Sequence, residues 1–305
     1  MARDVRSLGY GNRIERPRLK AIGVGGAGCN AIANTPFPSV GLCGRLDDIN
    51  GPPNQRRLVL TSDELEILRS VSSSTLGSVE RNVLRRLSRE VAGYDLIFIF
   101  AGLGGELGSH IVPGLANLCR HHGGLVIASA TMPFSAEGPG RRSTAVAMLP
   151  RLINAAHLTI TYPNDGLLKV APNLPFRRTF RVMDEIMMAP PRELVDVLTN
   201  DDIRRLRDDL SSVRHMRMGA GAGRGMQREE VAVSESFSSP WFDFNLDECR
   251  MALVVMSGKE VDEYSQRDIL DNIQARVPNA KIWYGVRSDH RSDDLRVTVL
   301  LDAKV

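Results

Sequence analysis

No apolar run in this chain of 305 residues approaches 18 residues, which excludes a single membrane-spanning helix. The N-terminus lacks the apolar core of a secretion signal. Cysteine is scarce: Cys29, Cys43, Cys119 and Cys249 form no Cys-x-x-Cys pair and no metal-ligand spacing, so a disulfide scaffold and a thiolate metal site are excluded. The four read as free, mostly buried thiols in a reducing compartment, and a cytoplasmic location without direct membrane insertion is expected. His121-His122 reads as a surface loop, so no metal centre is expected. A large charge of one sign is missing too. The net charge is +3, of which residues 1–20 supply +4 through six basic and two acidic residues. Residues 1–18 therefore read as a basic, disordered arm ahead of a near-neutral body, and no nucleic-acid partner is expected. Apolar content of 43% and charged content of 25% are ordinary for a globular protein, and the length allows two cores.

What the chain does have is glycine in the right places. The segment Leu19–Asn30 opens with a short apolar strand that runs into a turn with Gly23, Gly25, Gly26 and Gly28, followed by Ala31-Ile32-Ala33. Such a turn lets backbone approach a ligand closely and presents unpaired N–H groups to an anion, for which phosphate is the natural occupant. Leu96–Phe100 is a continuous apolar strand, as expected in a sheet covered on both faces. A second glycine loop, Ala101–Ser109, follows it. Val79, Val83, Leu84, Leu87 and Val91 share one helical face, with Arg81, Arg85, Arg86 and Arg89 largely opposite. Strands Leu125–Ala130 and His157–Thr161 flank a helical stretch over 141–156 and end in Thr131-Met132-Pro133-Phe134 and Tyr162-Pro163-Asn164-Asp165. Strands alternating with helices indicate an open parallel α/β sheet. After about residue 200 the order changes to strand, helix and two strands, which points to a smaller α+β domain. The stretch Met216–Met226 is rich in Gly, Arg and Met, and Gly219–Gly225 within it reads as a low-complexity segment.

Gly23-x-Gly25-x-x-Gly28 fits a Rossmann fingerprint, but Asp47 and Asp48, at the offset of the ribose-binding acid, follow no apolar strand. That reading also leaves Gly102–Gly108 without a role. Two glycine loops capping two parallel strands suit a nucleotide diphosphate or triphosphate gripped from two sides. The Walker lysine loop is absent, so this is not an ordinary P-loop enzyme.

At this point the chain resembles the tubulin/FtsZ superfamily and is similar to a divergent FtsZ-like protein. Residues 23–30 resemble the first phosphate loop, Ala101–Ser109 the signature loop, and Thr131–Gly138 with Arg141 the ribose-side loop. Thr161–Leu168 resembles the Pro-Asn-Asp loop, and Ser238-Ser239-Pro240, residues 219–225 and Arg296–Val299 resemble the C-terminal domain. The resemblance implies a GTP-binding domain over residues 19–199 and a C-terminal α+β domain over 200–305. Gly25, Gly26, Ala27 and Asn30 would wrap the phosphates together with Gly104, Gly105, Glu106, Leu107, Gly108 and Ser109. Glu137 and Arg141 would contact ribose and phosphate. Asn164, Phe180 and Asp184 would recognise the base, because a phenyl ring offers a stacking face and a carboxylate accepts from guanine N1–H and N2–H together. Read without the family, Phe180 is better taken as a packing residue and Asp184 as a solvated helix carboxylate.

The departures from the pattern carry their own expectations. Glu106 stands where the signature loop has glycine, Leu107 where it has threonine and His110 where it has glycine. A carboxylate ~4 Å from a phosphate repels it by about 4 kcal/mol at an effective dielectric of ~20. Glu106 therefore points away, holds a divalent cation such as Mg²⁺, or weakens triphosphate binding. Val71–Leu76 is short and lacks the glycines of the loop around the terminal phosphate. Of two interface acids that complete hydrolysis in the family, Asp202 matches the first as a candidate catalytic residue, but Arg205 occupies the second position. Pro190-Pro191 should interrupt the helix joining the base site to that stretch. The resemblance implies GTP or GDP as cofactor and head-to-tail filaments, with cell division as the family's usual process and hydrolysis slow or lost. A working GTPase using Asp201, Asp202 or Asp208, and a non-polymerising regulator docking on a true filament former, are the alternatives. The chain ends at Val305, so the family's adaptor-binding tail is expected to be missing, leaving membrane contact to the basic arm or a protein adaptor.

Overall fold

The computed structural model describes residues 4–9, 16–45, 55–71, 76, 84–289 and 293–304. Asp47, Asp48, residues 72–75 and the Val79–Val83 part of the expected helix lie outside them. The chain divides into two compact units, residues 17–191 and residues 192–305 with 1–16, a boundary earlier than the expected 199/200.

Strands are numbered from β1 (Val5–Ser7), which belongs to the second unit. The first unit holds β2 (Leu19–Val24), β3 (Ser39–Cys43), β4 (Arg57–Val59), β5 (Leu96–Gly102), β6 (Leu125–Met132) and β7 (Leu158–Pro163). They lie in the order β7-β6-β5-β2-β3-β4, and every adjacent pair is parallel. Register brings Ile22 beside Ile99 and Ile99 beside Ala128. The helices are α1 (Gly25–Ala31), α2 (Ser62–Ser70), α3 (Arg85–Val91), α4 (Glu106–His110), α5 (Val112–His121), α6 (Pro139–Ala155), α7 (Leu167–Val170) and α8 (Phe176–Val197). Leu96–Phe100 is buried throughout, and Ile97 and Ile99 join Leu87, Val91, Leu115, Leu118 and Leu152 in one core. This is why the strand sequence shows no polar alternation. Thr61 begins α2 with a reciprocal cap: Glu64 N–H donates to Thr61 Oγ1 at 3.2 Å, and Thr61 N–H donates to Glu64 Oε2 at 2.9 Å.

Helix α8 does not break at Pro190-Pro191 as expected; it runs unbroken to Val197. Pro191 has no N–H for the carbonyl of Met187, four residues earlier. Ser129 Oγ on β6 donates to that carbonyl instead, at 3.4 Å. Met183, Met187 and Met188 are buried, so packing and a borrowed donor sustain the helix.

In the second unit, α9 (Asn200–Asp209), β8 (His215–Gly223), α10 (Arg228–Phe237), β9 (Met251–Gly258), α11 (Glu263–Arg276), β10 (Lys281–Ser288) and β11 (Leu295–Asp302) follow one another. The sheet order is β1-β10-β9-β11-β8, with β11 antiparallel to both neighbours and the other pairs parallel. Two expectations are corrected here. Most of the segment read as low-complexity lies in strand β8, in which glycine serves close packing: a Cβ on Gly221 would lie 2.2 Å from the Ala232 carbonyl oxygen of α10. The supposed disordered arm contains β1, paired with β10 through Val5–Ile282 and Ser7–Tyr284. Its charge is used in packing, since the Arg6 guanidinium sits 5.4 Å from the Trp283 ring centre and 3.6 Å from Asp209 Oδ2.

Candidate functional site

Four strands of the first unit, β2, β5, β6 and β7, end at one cleft of about 610 Å³. This is where an open parallel sheet places ligands, because the loops after its strands diverge there. On one side lie Gly25, Gly26, Ala27 and Asn30 from the start of α1, facing Gly105–Gly108 from the start of α4. Gly28 lets α1 settle onto β5: a Cβ there would lie 2.0 Å from the Phe100 carbonyl oxygen. The two glycine loops thus meet, and the N–H groups of first helical turns, which have no partner within the helix, are gathered around a small volume.

The other side is built from Asn164, Phe180 and Asp184, with Glu137 and Arg141 between. Glu137 is held in place by the Phe134 N–H, which donates to it at 2.8 Å, and by Arg141 Nη1 at 2.7 Å. Phe180 meets Phe134 edge to face, ring centres 5.9 Å apart, and is about 38% exposed. Asn164 is buried, and its Oδ1 has no hydrogen-bond partner among the described residues. Burial pushes the Asp184 carboxyl up to about 7, with the neighbouring Glu185 adding to the effect and Arg181 opposing it. An orphaned amide oxygen and a poorly solvated carboxylate beside an aromatic ring form an acceptor-rich wall that fits a planar donor.

Three expected site residues lie elsewhere. Gly104, at φ +93°, packs against Arg141 and Pro133 instead of lining the cleft. Ser109 is fully buried, and its Oγ accepts from the Gly104 N–H at 2.7 Å, so it braces the loop from behind. Asp202, the candidate catalytic acid, is in the second unit with no exposed surface. It accepts from Thr199 Oγ1 at 2.6 Å, the Thr199 N–H at 2.9 Å and the Gly9 N–H at 2.9 Å, and pairs with Arg205 Nη2 at 2.7 Å. A carboxylate so occupied caps α9 and ties down the N-terminal segment. The cleft is also lined by Val24, by Gly102, Leu103, Thr131 and Pro133 from the loops already read as phosphate- and ribose-side, and by Met183 and Met187, which residue-type reasoning missed. The methionines were findable: Phe180, Met183, Asp184 and Met187 share one helical face by spacing. Glu106 does line the cleft, and its carboxylate is turned to Arg69 Nη2 at 2.7 Å.

Residues 44–172 match the family described as tubulin/FtsZ family, GTPase domain. "Cell division protein FtsZ 1" of Archaeoglobus fulgidus is 31% identical over 303 residues, spanning 93% of this chain and 81% of that protein. The chain belongs to the tubulin/FtsZ family. Its fold agrees with the FtsZ dimer of M. jannaschii at a TM-score of 0.79 and 23% identity, over 94% of this chain and 88% of that one. CetZ2 from Haloferax volcanii, solved as a GTPγS-bound protofilament, agrees at a TM-score of 0.70 and 18% identity, over 93% and 92%. As an FtsZ-family chain it shows, among the described residues, no helix long and apolar enough to cross a membrane. The same residues contain no cluster of three or more His, Cys, Asp or Glu side chains able to hold a metal by themselves.

Proposed function

We propose that this FtsZ-family protein binds a guanine nucleotide in the cleft and assembles head to tail into filaments, in cell division or a related process, with GTP hydrolysis slow or lost. One observation carries the reading: two glycine loops and the Asn164, Phe180 and Asp184 wall converge on a single cleft, with an orphaned acceptor and a desolvated carboxylate at the base end. Asp184 would accept from N1–H and N2–H of guanine, a donor pair that adenine lacks. The glycine loops would hold the phosphates through backbone N–H groups, and Mg²⁺ would accompany the phosphates as their counter-ion. Self-association is supported by relatives solved as a dimer and as a protofilament. Repeated heterologous contacts of that kind give open polymers. Slow hydrolysis is supported by Arg205 at the second acidic position and by the buried, fully engaged Asp202.

The test is to denature the purified protein, identify released nucleotide by chromatography, and sediment the native protein with GTP and Mg²⁺. Release of GDP or GTP and pelleting with GTP are expected. Protein that retains no guanine nucleotide and stays in the supernatant contradicts the proposal.

A further inference from the structure

Glu106 is the feature that nucleotide binding by itself leaves without a purpose. It belongs to the second glycine loop and lines the cleft, on the loop that the nucleotide reading assigns to the polyphosphate chain. Alone it repels that chain. In the structure it instead draws in a cation, the Arg69 guanidinium, from the last turn of α2. The Arg69 backbone is anchored as well, because Arg151 Nη2 donates to its carbonyl at 3.3 Å. Both partners of the pair stay well exposed, 44% for Arg69 and 76% for Glu106, so the bond between them is weak and exchangeable. A terminal phosphate carries more charge than a carboxylate and accepts from a guanidinium through two oxygens at once.

Resting on the nucleotide reading above, we infer that Arg69 is a specificity-determining residue that recognises the terminal phosphate, and that Glu106 holds it in waiting at the rim of the cleft. The guanidinium leaves Glu106 for the third phosphate of a triphosphate. A diphosphate offers nothing at that position, so Arg69 remains on Glu106. The pair thereby separates triphosphate from diphosphate in a chain whose terminal-phosphate loop lacks the family's glycines.

The experiment is calorimetric binding of GDP and of a slowly hydrolysed GTP analogue to the full chain after nucleotide removal. Arg69→Ala is expected to weaken the triphosphate by about tenfold or more, the scale of a charge-assisted hydrogen bond, and the diphosphate by less than about twofold. Arg69→Lys should recover part of the loss. Glu106→Gln should strengthen triphosphate binding by removing the competing acceptor, and the Arg69→Ala/Glu106→Gln double variant should lose the preference for triphosphate over diphosphate. Equal losses for both nucleotides, or no loss, overturn the inference; with wild-type protein still binding both, the reading of the cleft survives. Wild-type protein that binds neither nucleotide overturns both.

Discussion

Asp184 is under two opposed demands. Burial in the cleft keeps its carboxyl protonated up to about 7, against an ordinary 3.8, yet guanine recognition needs the carboxylate. Folding therefore takes up a proton at this residue between about pH 4 and 7, and its burden on stability grows as pH rises through that window. Asp184→Asn is expected to melt higher than wild type at pH 8 without ligand, with the difference fading toward pH 4. The same variant should bind guanine nucleotide about tenfold or more weakly, for loss of a charged acceptor. Scanning fluorimetry across pH and calorimetry read the two effects. Asp202 is a structural carboxylate: it accepts from two backbone N–H groups and a hydroxyl, and pairs with Arg205. Removing it leaves the Thr199 and Gly9 N–H groups without their acceptor, at about 1–3 kcal/mol for an unsatisfied donor, so Asp202→Ala should lower the unfolding free energy by that order. Denaturant melts check this, and any lost turnover should follow the unfolded fraction.

At the scale of elements, helix α8 holds a proline pair that local rules place at a helix end. Its continuity depends on the Met187 carbonyl finding Ser129 Oγ in place of the missing Pro191 N–H. A double-mutant cycle isolates that exchange. Ser129→Ala should cost about 1 kcal/mol in the wild-type background, the price of one lost hydrogen bond. In Pro191→Ala protein, where residue 191 again carries an N–H, the same change should be nearly neutral. Denaturant unfolding of the four proteins gives the coupling directly. The N-terminal segment makes a similar point. Six basic residues in twenty look like a solvated tail, but Val5–Ser7 has an open strand edge to join in β10, and Arg6 has Trp283 to cover.

For the whole molecule, the cleft is assembled entirely from residues 24–187, within one of the two compact units. A ligand stabilises what it binds by an amount set by its concentration over its dissociation constant, about 2.7 kcal/mol at a hundredfold excess. Hydrogen exchange with saturating GDP should therefore slow most in α1, the loop from Gly102 to Ser109, and the start of α8. Amides of β8–β11 should change least. Protection that is strongest in residues 192–305 would contradict the location of the site.

The base wall came only through the family resemblance, whereas the amino-acid sequence alone determined the parallel α/β class and the two glycine loops. Those features rest on local chemistry: unbroken apolar runs for buried strands, glycine where a side chain cannot fit, and polar residues at strand ends. Even the methionines of the cleft follow from helical spacing. What only tertiary structure decided are matters of partners far apart along the chain. Asp202 became a cap and a tether because Gly9, some 190 positions away, donates to it. The glycine-rich stretch at 215–223 became a strand because α10 packs on it at a distance no Cβ would allow. Glu106 turned from a source of repulsion into one half of an ion pair because α2 delivers Arg69 to it. Charge, donors and empty volume acquire their meaning only when the fold supplies what stands opposite, and no window of sequence contains that.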